Sequence, residues 1–111
     1  MLPLSLVSPV YNEEQNLPLL MDAICKALEP LKKDWEVVFV DDGSRDHSLE
    51  VLESLVEKDP EHVRVIVFRR NFGQTAAIEA GIDHAEGETI VLLDADLQND
   101  PADIPMLLAK L

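Results

Sequence analysis

The chain has 111 residues, enough for one modest domain, and its 47% hydrophobic content is ordinary for a globular protein that buries a core. A formal net charge of −13 argues against nucleic acid as a partner, because phosphate backbones require basic patches. The same charge means that an anionic substrate would need a bridging metal ion.

Cys25 is the single cysteine, so there is no disulfide framework, which fits a reducing compartment; its apolar helical setting reads as core. Met1-Leu2-Pro3-Leu4 lacks the basic lead of a signal peptide, and no apolar run approaches the ~18 residues of a membrane helix.

Residues 4–10 read as a first strand that Pro9 ends. After the loop Tyr11-Asn12-Glu13-Glu14, Asn16 is placed to cap a helix with Pro18 in its first turn. Leu17, Leu20, Ile24, Ala27, Leu28 and Leu31 recur at helical spacing, so that helix runs to about residue 28, where Pro30 helps to stop it. Residues 35–40 form a second strand, apolar nearly throughout, running into Asp41-Asp42-Gly43-Ser44. Asp46 or Ser48 caps the next helix, whose stripe is Leu49, Leu52, Leu55 and Val56, with Pro60 beyond its end. Residues 63–68 give a third strand and residues 69–73 a loop. Residues 75–85 form a third helix carrying Ala77, Ile78, Gly81, Ile82 and Ala85, with Gly87 as its C-cap.

Residues 89–93 are a short continuous apolar run of the kind buried on both faces of a sheet, and they lead straight into Asp94-Ala95-Asp96-Leu97-Gln98. Pro101 and Pro105 flank the start of a last helix, in which Ile104, Leu107, Leu108 and Leu111 repeat at i, i+3, i+4 and i+7. The alternation predicts an α/β fold: a Rossmann-like parallel sheet with right-handed crossovers and flanking helices. The expected strand order is 3-2-1-4, with the switch point between strands one and four. The chain stops inside an amphipathic helix, so residues 1–111 are expected to be the front part of a longer protein. By themselves they are expected to be inactive, and to self-associate or be poorly stable.

All four strand ends carry polar or special residues. Asp94 and Asp96, with Gln98, make a ladder of oxygen ligands suited to a hard divalent cation, although a carboxylate after a strand is more often a cap or turn residue. A planar base could lie against Pro9 and Tyr11 with its polar edge at Asp42. The plainer alternatives are a rim aromatic for Tyr11 and a turn acceptor for Asp42. Gly73, ahead of a helix, permits positive φ and close backbone approach, so that turn either nears a diphosphate or is simple capping. No G-x-G-x-x-G follows strand one and no P-loop exists. His47, His62 and His84 show no ligand spacing.

Pro9-Val10-Tyr11-Asn12-Glu13-Glu14, Asp41-Asp42-Gly43-Ser44, Arg70-Asn71-Phe72-Gly73-Gln74 and Asp94-Ala95-Asp96-Leu97-Gln98, in this order, resemble the family 2 glycosyltransferases of GT-A fold. Within these the chain is most similar to the polyprenyl-phosphate sugar transferases, and the likeness covers essentially all of it. The resemblance implies that residues 1–111 are the nucleotide-sugar-binding part of such a domain. It implies that Pro9, Tyr11, Glu13, Val40 and Asp42 contact the nucleoside of a UDP- or GDP-linked sugar. It further implies that Asp94 and Asp96 engage Mg²⁺ or Mn²⁺ and the diphosphate, with Gln98 as a third metal contact and Ala95 lining the site. Asp96, serving the charge that develops on the leaving group, is the expected catalytic residue.

The implied reaction is inverting transfer to an undecaprenyl or dolichyl phosphate, in cell envelope biogenesis. Membrane association on the cytoplasmic face, through parts absent here, and a homo-oligomer also belong to the expectation. Two other readings stand beside it: a related transferase acting on a saccharide hydroxyl, and a non-enzymatic Mg-binding receiver-like module. Against the module, no Lys stands in the loop that directly follows strand three, and the acidic pair comes after strand four.

Overall fold

The computed structural model describes residues 2–31, 34–93 and 95. Period-two and period-3.6 segments alternate in the sequence, and each becomes its own element: strands β1 (Leu2–Val10), β2 (Trp35–Asp41), β3 (Val63–Val67) and β4 (Gly87–Leu92), and helices α1 (Leu17–Leu28), α2 (Ser48–Lys58) and α3 (Gln74–His84). A 3-10 turn, Glu29–Leu31, extends α1. The sheet is parallel throughout, in the order β3-β2-β1-β4, as expected. The expected last helix lies outside the described residues.

Helices cover both faces. Leu6, Val10, Val37 and Phe39 meet Leu17, Leu20, Ile24, Leu28 and Leu52 beneath α1 and α2. Val7, Val38 and Val40 meet Ala77 beneath α3. Phe39 and Leu6 are fully buried, and each such side chain contributes about 1.5–3 kcal/mol relative to exposure.

Several sequence expectations change. Pro9 does not end β1, which runs on to Val10 with Pro9 paired to Val40. Alternate residues of a parallel strand bond to opposite neighbours. Leu93 N–H donates to Val7 O on the β4 side, and Asp42 N–H donates to Val10 O on the β2 side. The next rung toward β4 would need an N–H from position 9, which proline lacks. Pro9 therefore stops the β1–β4 ladder and leaves the β1–β2 ladder intact, so β1 and β4 part at their carboxyl ends.

The fourth strand is not buried on both faces: Ile90 (37% exposed) and Leu92 (48%) alternate with half-buried neighbours. It is the edge of the described sheet, and α3 packs over β1 and β2 instead. Gly87 is the first residue of β4, not a helix cap; Ala85, in extended conformation, takes the C-cap. A Cβ at Gly87 would stand 2.5 Å from Ser5 N, so close strand approach explains the glycine. Asn16 occupies the N-cap of α1 without a capping bond; its Nδ2 donates to Glu13 Oε2 (2.8 Å). At α2 the N-cap residue is His47, without a side-chain capping bond, rather than Asp46 or Ser48; Asp46, one residue earlier, accepts Ser48 N–H at Oδ1 (2.8 Å).

The amino end of the sheet is closed by a charged network. Glu36, 2% exposed, accepts from Ser5 Oγ (2.6 Å), Arg64 Nη1 (2.9 Å) and Glu86 N–H (2.7 Å). Gly87 N–H donates to Ser5 Oγ (2.7 Å), and Arg64 also donates to His84 O (2.8 Å). Burial pushes the Glu36 carboxyl up, but the Glu86 N–H, Ser5 and Arg64 outweigh it, and the group lies below its ordinary value of 4.5. This joins β1, β2, β3 and the α3–β4 junction at the end remote from the switch point.

Candidate functional site

At the carboxyl end, where β1 and β4 part, lies a cleft of about 140 Å³ lined by Pro9, Val10, Tyr11, Glu13, Asp42, Gln74 and Ala95. Open α/β sheets bind ligands at this kind of position, outside the carboxyl ends of the strands at the switch point. The volume suits one ring system and is less than the ~300 Å³ or more of a drug-sized pocket.

Tyr11 stands at the mouth, 42% exposed, presenting a flat apolar face with a hydroxyl at its edge. The backbone then turns through Asn12 (φ 55), a left-handed conformation that asparagine tolerates. Three bonds fix it: Asn12 N–H to Ser44 Oγ (2.9 Å), and Asn12 Oδ1 from the N–H groups of Arg45 (2.8 Å) and Asp46 (3.3 Å). Glu13 N–H donates to the buried Ser48 Oγ (2.8 Å), and Glu14 N–H to Asp46 Oδ2 (3.3 Å). The loop after β2 thus holds the loop after β1, which orients Glu13. Asp46 is pushed up by its burial, but its bonds from Ser48 and Glu14 prevail and hold its carboxyl below its ordinary value.

On its other side the same loop holds the start of α3. Asp42, 3% exposed, accepts Phe72 N–H at Oδ1 (2.8 Å) and Gly73 N–H at Oδ2 (3.1 Å) and Oδ1 (3.3 Å). Asn71 Nδ2 donates to Asp42 Oδ2 (3.1 Å) and Asp42 O (3.2 Å). Gly43, at φ +70, lies so close that a Cβ would stand 2.5 Å from Asn71 N. Gly73 has φ 106 and is the residue before α3, and the anion at its N–H is the Asp42 carboxylate.

Of the site residues expected from sequence, Pro9, Tyr11, Glu13, Asp42 and Ala95 line one cleft. Val40 is fully buried beside Pro9 on the adjacent strand, in the layer against α3, and does not line the cleft. Gly73 adjoins it through Gln74. Asp94, Asp96 and Gln98 lie outside the described residues; in sequence the two aspartates flank Ala95. Val10 and Gln74 were not singled out. Val10 sits inside the Pro9-Val10-Tyr11 motif and Gln74 ends the Arg70-Asn71-Phe72-Gly73-Gln74 motif, so those motifs were the available signal for both.

Among the described residues, no three His, Cys, Asp or Glu side chains form a group that could hold a metal ion. The Asp42 carboxylate is already engaged by N–H groups, and Glu13 accepts from Asn16. Asp94, Asp96 and Gln98, the oxygen donors that the sequence suggests for a hard divalent cation, lie outside the described residues; Asp94 and Asp96 are the chain neighbours of Ala95.

The model of the glycosyl transferase family 2 matches residues 5–111. An undecaprenyl-phosphate 4-deoxy-4-formamido-L-arabinose transferase of Proteus mirabilis is 46% identical over 105 residues, 95% of this chain and 32% of that protein. Among solved structures, S. aureus TarS 1-349 superposes with a TM-score of 0.79 at 27% identity, over 96% of this chain and 31% of the other. A mannosyltransferase, PcManGT from Pyrobaculum calidifontis, in complex with GDP-Man and Mn²⁺, gives 0.75 at 25% identity, over 86% and 28%. The chain spans about a third of the length of the curated relatives it matches. The four-stranded sheet and its helices are those of GT-A glycosyltransferases, which leaves no ground for the receiver-like reading. With the family model matched along nearly its whole length, the chain belongs to glycosyl transferase family 2.

Proposed function

We propose that the chain is the donor-binding part of an inverting, metal-dependent glycosyltransferase that moves a sugar from a nucleotide diphosphate to a polyprenyl phosphate. The observation that carries this is the cleft at the β1–β4 switch point, with Pro9, Tyr11, Glu13 and Ala95 on its wall and Asp94 and Asp96 next to Ala95 in the chain. Relatives that are undecaprenyl-phosphate sugar transferases support the acceptor class, and a neighbour in complex with GDP-Man and Mn²⁺ supports the donor and cation classes.

In this reading Pro9 and Tyr11 give a base its flat apolar surface, and Val40 flanks Pro9 on the neighbouring strand. Asp42 and Gln74 also line the cleft, with Gly73 next to Gln74 in the chain. Asp94, Asp96 and Gln98 hold Mg²⁺ or Mn²⁺, a Lewis acid that would neutralise the diphosphate leaving group. Asp96 is assigned to the developing charge on that group. The acceptor phosphate, whose second pKa is near ~6, is already largely anionic at neutral pH, so the chain needs no strong general base. Attack opposite the leaving group inverts the anomeric carbon.

No helix among the described residues is long and apolar enough to cross a membrane. Attachment to the cytoplasmic face belongs, in this proposal, to other parts of the full-length protein. The test is transfer of a radiolabelled sugar from UDP- and GDP-sugars to undecaprenyl phosphate by the full-length protein. Asp96→Asn is expected to abolish transfer, lowering kcat far more than it raises KM. Transfer that survives this substitution would overturn the assignment.

A further inference from the structure

We infer that Asp42 acts on the donor site as a positioning residue: its carboxylate latches the Asn71-Phe72-Gly73 turn, and thereby sets the cleft wall that ends in Gln74. The inference rests on the donor-site reading above and gives Asp42 a role beside any contact it makes with a base.

An ionised carboxylate offers about four acceptor sites. Asp42 fills most of them with three N–H groups of its own chain. Phe72 N–H lies 2.8 Å from Oδ1, Gly73 N–H 3.1 Å from Oδ2, and Asn71 Nδ2 3.1 Å from Oδ2. The residue is 3% exposed, so these partners replace solvent around the charge. Bonds to an ionised acceptor are the strong class of hydrogen bond.

The contact is also sterically closed. Gly43 presses against the Arg70–Asn71 backbone in a left-handed conformation with no room for a side chain. Phe68 N–H donates to Asp41 O (2.9 Å), which brings the end of β3 to the same loop. Phe72 itself is 54% exposed, with the Phe68 ring against it edge-on at 5.6 Å and the Arg70 guanidinium 4.8 Å from its ring centre. Apolar burial does not hold this turn, so the carboxylate is left to do it. Immediately after the turn, Gln74 opens α3 and lines the cleft. Loss of the latch would therefore move a cleft wall.

Asn71 separates this role from direct recognition, because it bonds Asp42 yet does not line the cleft. The experiment uses the full-length protein with Mn²⁺, titrated by calorimetry with UDP and with GDP, alongside amide hydrogen exchange. Asn71→Ala, an exposed position, is expected to keep the wild-type circular dichroism spectrum and a cooperative melt, at a somewhat lower melting temperature. It should nevertheless speed exchange at Phe72 and Gly73, and weaken the nucleotide that the wild type binds, by about tenfold for one charge-assisted bond. Asp42→Asn should do the same, and the double variant should be no worse than the poorer single, the signature of one shared contact.

If Asn71→Ala binds nucleotide as the wild type does while Asp42→Asn loses binding, Asp42 touches the ligand itself and the positioning role is overturned. Unchanged exchange at Phe72 and Gly73 in both variants overturns the latch. A wild type that binds neither UDP nor GDP overturns the donor-site reading, and the donor-site role with it, while the exchange data still report whether the latch exists.

Discussion

Two buried carboxylates stand at opposite ends of β2, and they do different work. Glu36, at the amino end, is paired with a cation, Arg64, and with two further donors. Asp42, just past the carboxyl end, is held by backbone N–H groups and an amide. Six residues apart, they fall on the same side of an alternating strand. Glu36 joins strand to strand; Asp42 joins loop to loop. The amino end is thus the sealed end, where charge is neutralised inside the protein. At the carboxyl end the donors that satisfy the charge belong to the loops shaping the cleft, so stability and site geometry meet in the same bonds.

The largest expected effect breaks the sealed end. Glu36→Ala leaves Arg64 and the Ser5 hydroxyl without their acceptor, and should cost about 3 kcal/mol in urea unfolding. Nucleotide affinity per folded molecule should stay unchanged, because nothing in the network lines the cleft. A stability loss accompanied by an equal loss of affinity would show that the two ends are not separable.

Acid sharpens the same contrast. The folded Glu36 carboxyl titrates below its ordinary 4.5. Its contribution is therefore full above the unfolded-state value and is lost as pH falls through the folded value. The stability gap between wild type and Glu36→Gln should narrow as pH is lowered from about 6 to about 3. A gap that widens in acid would reverse the sign of the argument.

The alternation of strands and helices was legible in the sequence because each segment keeps a clean local period. Leu17, Leu20, Ile24 and Leu28 announce α1 by themselves, and the crossover rule then leads to the sheet order. The joinery was not legible. Asp42 meets residues 29 to 31 positions away, and Glu36 meets partners 28, 31 and 50 away, so no local pattern marks them. Glu36 therefore reads as one polar residue in an apolar strand. The exposed side of β4 was missed because an apolar run shows what a strand could bury, not which face a helix covers. Tyr11, Glu13 and Asp42 were recognisable as residues at strand ends. Gln74 was harder, since its place on the cleft depends on how the Asp42 latch aims α3.

A smaller effect tests the cleft end from the backbone side. Gly43→Ala puts a side chain at φ +70 against Asn71 and should cost about 2 kcal/mol. Unlike Glu36→Ala, it should also weaken nucleotide binding, because it pushes the turn away from Asp42. A variant with lowered stability and wild-type affinity would separate the loops from the site.

The most direct test of the account is calorimetry of UDP and GDP with the full-length protein, in Mn²⁺ and in EDTA. An acidic chain of net charge −13, with Glu13 and Asp42 on the cleft, should bind one of these diphosphates at least about tenfold more tightly with the metal present. Equal affinity in EDTA would contradict the claim that this cleft is a metal-assisted donor site.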